Sequence, residues 1–165
     1  MGIKDQVSPE QWKVLLNAPS YAAEFVATAS GGGLDFFAEV LTSMKLVQDT
    51  AIRKDGSGFG KLVDEIMTTM TEMSFNEAKS DTLKTESTDL NSMRAAARQV
   101  VVDAAAAAST LDGGDGYKRW LLFVARKVAE TRTGGVLGFG GTSVVDEKEE
   151  AALTELKMIL NVTEM

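Results

Sequence analysis

The chain has 165 residues, 44% hydrophobic and 25% charged, which suits one globular domain with a real core and excludes wholesale disorder. Its net charge of −7 repels phosphate backbones, so no nucleic-acid partner is expected. It has no Cys and no His, which removes disulfides, thiolate and imidazole metal sites, and the Ser-His and Cys-His nucleophile pairs.

The first residues, MGIKDQVSPEQW, lack the apolar run of a signal peptide. Gln6 stands where the myristoylation pattern requires Ser or Thr. No uncharged apolar run approaches the roughly 18 residues of a membrane span. These features predict a cytoplasmic protein with no membrane partner.

Ser8-Pro9-Glu10-Gln11 is a capping box with proline at the first helical position. It predicts a short helix from Pro9 to about Asn17, with Trp12, Leu15 and Leu16 inward. Pro19 is expected to end it, because the residue before a proline avoids helical geometry. A second short helix fits Ser20 to Ser30, with Tyr21, Phe25, Val26 and Ala29 inward. Gly31-Gly32-Gly33 then breaks the chain. Leu34 to Arg53 reads as a helix with a broad apolar face that includes Phe36, Phe37, Val40, Leu41 and Met44.

Phe59 to Phe75 reads as another helix, with Leu62, Val63, Ile66, Met67, Met70 and Met73 inward. Residues 76–88 are polar and read as an exposed connection. Leu90 to Leu111 is the strongest helix signal, since alanine is the best helix former. It is expected to be the central helix of the bundle. Asp103, between Val102 and Ala104, is the candidate buried carboxylate. It would need a cationic or hydroxyl partner there, with Arg119 and Arg126 as candidates. Asp112-Gly113-Gly114-Asp115-Gly116 is expected to separate this helix from the next.

Tyr117 to Arg132 carries Tyr117, Trp120, Leu121, Val124 and Val128 on one face. It is also locally basic. The final helix starts at Asp146, which forms an acidic capping box with Glu149, and its first turn is acidic. The two helices are therefore expected to lie together and attract each other; a basic binding patch is the alternative. Between them, Leu137 and Phe139 lie among glycines and are expected to anchor an ordered loop in the core. No segment alternates like a strand. The fold expected is all-α: one domain over residues 1–165, a bundle of six or seven helices around the Ala-rich one.

The pattern T-x-[ST]-G-G-x-L-x-F occurs from Thr28 and again from Thr131. It admits a duplicated helix-loop-helix unit, or simply two glycine C-caps. Two motifs fail on inspection. Asp55-Gly56-Ser57-Gly58 resembles the middle of an EF-hand loop, but puts Arg53 at the first ligand position. Residues 135–142 have the spacing of a phosphate-binding loop, but Gly141 replaces the lysine.

Trp120-Leu121-Leu122, Val124-Ala125, Val128-Ala129-Glu130, the run Gly134 to Gly141 and the Glu-rich helix that follows resemble a group of small uncharacterised bacterial helical proteins. The resemblance covers about a quarter of the chain and implies an all-helical fold with no known activity. The outline of helix, glycine loop and Glu-Lys helix is also similar to the tellurite-resistance TerB-like domains. That resemblance implies an acidic helical protein of metal-ion or stress responses. Gly134, Gly135 and Gly138 stand where that family has acids.

With the usual catalytic residue types missing, the function expected is non-enzymatic: a cytoplasmic interaction protein with no cofactor. Met67, Met70 and Met73 are the candidate interface, for a homodimer or a protein partner. The alternative is a TerB-like protein that responds to a metal ion or small ligand through carboxylates.

Overall fold

The computed structural model describes residues 2–30, 59–72, 89–133 and 145–163. Among them are five α-helices and no strand: α1 Pro9–Ala27, α2 Lys61–Glu72, α3 Leu90–Ala108, α4 Gly114–Thr133 and α5 Glu147–Leu160. Short 3-10 turns occupy Ile3–Gln6 and Thr28–Ser30. No helix among the described residues is long and apolar enough to cross a membrane. Met73, Leu137, Phe139, the segment 34–53 and the glycines of both repeated patterns lie outside the described residues.

The starts of α1, α3 and α5 follow their sequence signals. Ser8 Oγ accepts from Gln11 N–H at 3.2 Å, and Gln11 Oε1 accepts from Ser8 N–H at 3.0 Å. Asp89 opens α3, accepting from Ser92 N–H at 3.0 Å and from its hydroxyl at 2.7 Å. These bonds favour the ionised carboxylate and hold its pKa below the ordinary value, the side-chain bond first. Asp146 and Glu149 close the acidic capping box of α5 at 3.2 and 3.4 Å. Asn161 ends α5 in the left-handed conformation, with φ 51°.

Pro19 does not end a helix. It lies buried inside α1, which runs unbroken through both segments that the sequence separates. A proline in a helix interior removes the bond to the carbonyl four residues back. Here that carbonyl belongs to Leu15, and the hydroxyl of Tyr117 on α4 donates to it at 2.8 Å. Burial of Leu15, Ala18, Ala22, Ala23, Phe25 and Val26 on both sides of the proline holds the helix together.

The centre of the bundle is α1, which packs against each of the other four helices and most extensively against α3 and α4. The Ala-rich α3 is a flanking helix, contrary to its sequence reading. Met93, Ala97, Val101, Ala104 and Ala108 face inward at helical spacing, while Ala95, Ala96, Gln99, Asp103 and Ala106 are exposed. Alanine forms helix whether buried or not, so its density reports helicity and not centrality.

Asp103 must be corrected accordingly. Its carboxylate lies on the exposed face, where it accepts from Gln99 Nε2 one turn earlier at 2.8 Å. Neither Arg119 nor Arg126 reaches it: Arg126 pairs with Glu150 at 3.7 Å, and Arg119 lines a cleft. Asp103→Ala is therefore expected to change stability by no more than about 0.5 kcal/mol, as for other surface substitutions. Urea unfolding checks this. A loss well above that would return the carboxylate to a structural role.

The attraction between α4 and α5 is present. These helices pack together, with Arg126 against Glu150, and Arg94 and Arg98 of α3 add ion pairs to Glu155 at 3.0 and 3.2 Å. The Arg94 guanidinium also stacks over Phe25 of α1, 4.6 Å from the ring centre. One arginine thus ties α3 to α1 and α5.

Candidate functional site

The turn from α3 to α4 is built by glycine. The α3 helix ends at Ala108, Leu111 N–H donates to the Ala108 carbonyl at 3.0 Å, and Gly114 N–H donates to Leu111 at 3.1 Å. Gly113 has φ +83°, the left-handed region that side chains rarely adopt. The α4 helix then starts three residues earlier than its apolar pattern suggests, at Gly114. A methyl group on Gly116 would overlap the Phe59 carbonyl. The strand of chain leading into α2 therefore lies directly on the first turn of α4, closer than any other residue would allow.

This close approach shapes an open cleft of about 440 Å³, lined by Phe59, Gly60, Ala108, Ser109, Leu111, Asp112, the glycines 113, 114 and 116, Asp115 and Arg119. Phe59 is held on one side by a tilted contact with Phe123, 5.4 Å between ring centres. Lys61 and Asp112 pair at 3.5 Å on the rim, and Lys118 and Asp115 at 3.5 Å. Arg119 is exposed beside them.

The hydroxyls near the cleft are turned back on their own helix. Ser109 Oγ donates to the Ala105 carbonyl at 2.8 Å, and Thr110 Oγ1 donates to Ala107 at 3.0 Å. Both hydroxyl protons are thus engaged by carbonyls of their own helix. Among the described residues, no three acidic side chains converge as a metal site would need. The cleft offers backbone, one aromatic edge and mixed charge.

The residues singled out in the sequence do not come together here. Asp103 faces solvent on α3. Met67 and Met70 lie half-buried on α2, packed against the core, with Met70 also touching the small cluster of Ala23, Ala27 and Val128. None of the three lines the cleft. The signal that could have located it is the density of glycine in Gly113, Gly114 and Gly116, which reads locally only as a helix stop.

A second feature is a buried acid. Glu24 on α1 is 4% exposed, and its Oε1 meets no hydrogen-bond partner among the described residues. Burial pushes its pKa from 4.5 up to about 7. Burial, and then the Glu24 charge, also raise the pKa of Tyr21 one turn earlier. The fold favours the protonated form of Glu24. Its contribution to stability is present in full below pH 4.5 and is lost as the pH rises through about 7. Glu24→Gln is expected to remove this dependence and to stabilise the protein at pH 8 by roughly 1–2 kcal/mol. Thermal melts of both proteins at pH 5 and pH 8 check it. Equal slopes would show that Glu24 ionises freely in the folded protein.

Compared with family models, curated protein sequences and solved structures, the chain matches none.

Proposed function

We propose that this chain is a non-enzymatic helical interaction protein of the cytoplasm that associates with a second copy of itself. The observation that supports this is the single apolar face of α2. Leu62, Val63 and Ile66 are fully or nearly fully buried, and the same face continues into Met67 and Met70, which are partly buried and pack against the core. Methionine adapts to more than one neighbour, and a twofold contact is the commonest way for two copies to share such a face. In this reading the whole chain holds six or seven helices, with a duplicated unit as the alternative to two glycine C-caps for the repeated pattern. The described carboxylates do not favour the metal-responsive alternative. Asp112 and Asp115 are each held by a lysine.

Light scattering on the wild type and on Met67→Gln tests the proposal. The wild type is expected to be a dimer at tens of micromolar, and the variant a folded monomer with an unchanged melting curve at low concentration. Met67 is preferred to Met70 for this purpose because Met70 also packs on Ala23, Ala27 and Val128. A monomeric wild type would overturn the reading. A rise in melting temperature with calcium or magnesium would favour the metal-responsive alternative, because a ligand that binds only the folded state stabilises it.

A further inference from the structure

We draw no further inference here: the strongest candidate, the buried Glu24 carboxylate toward the C-terminal end of α1, carries nothing because nothing among the described residues shows what covers it.

Discussion

Gly116→Ala is expected to destabilise the protein by about 3 kcal/mol or more, at the upper end of what overpacking costs. The sign is the informative part. In an ordinary helix this exchange stabilises by roughly 0.5–1 kcal/mol, because glycine loses more backbone entropy on folding. Gly116 is the third residue of α4, so propensity alone predicts a gain. The added methyl would instead occupy the position of the Phe59 carbonyl. That carbonyl belongs to backbone and has no alternative rotamer to adopt. Either α4 or the chain entering α2 must shift, and Gly113, with φ +83° and its own backbone packed on Leu62, leaves little room for it. For a chain of this size each kcal/mol lowers the melting temperature by roughly 2–4 °C. A calorimetric scan showing a raised melting temperature would mean that the two segments are not in contact, and the cleft between them would go with it.

Tyr117→Phe is expected to cost about 2 kcal/mol, the penalty for a buried carbonyl left without a donor. Tyr117 and Leu15 are both fully buried, so water cannot replace the lost hydroxyl. Burial also raises the pKa of the phenol well above its ordinary value, which keeps it a donor. The cause lies in Pro19, and this gives the prediction a second arm. Pro19→Ala restores an N–H that can donate to the Leu15 carbonyl, which has two lone pairs. In that background Tyr117→Phe should cost roughly 1 kcal/mol less. Urea unfolding of the four proteins closes the cycle. Additive losses would show that the hydroxyl and the proline act independently, and the bond would then be incidental.

The same bond explains what could not be read locally. The rule that ended a helix at Pro19 weighs a missing hydrogen bond against nearby residues only. The compensating donor is 102 positions away. Asp103 failed for a related reason. Its neighbours Val102 and Ala104 lie on other faces of α3, and flanking residues in sequence say little about the face a helical residue occupies. Positions three and four away say more, and for Asp103 these include Gln99 and Ala106, both exposed. Spacing at helical period read much of the core. Leu62, Val63 and Ile66 on α2 and Tyr117, Trp120, Leu121, Val124 and Val128 on α4 are buried, while Leu16, Tyr21, Met67 and Met70, read inward by the same spacing, are only partly buried. The capping residues Ser8 and Asp146 held because their partners are three residues away. The cleft was illegible because it depends on the close approach of Phe59 backbone to Gly116, residues far apart in sequence, and such an approach leaves no local pattern of side chains.

The position of α1 has a consequence for how the protein is made. The helix at the centre of the bundle leaves the ribosome well before its hydrogen-bonded partner on α4, which follows 102 residues later. At about 5–20 residues per second, α1 waits roughly 5–20 s for that partner. Throughout that interval the Leu15 carbonyl lacks its tyrosine donor. Contacts this distant in sequence also slow the search for the native arrangement once the chain is free. Until α3 and α4 have both emerged, Leu15, Phe25 and Val26 of α1 lack the two helices that pack on it most extensively.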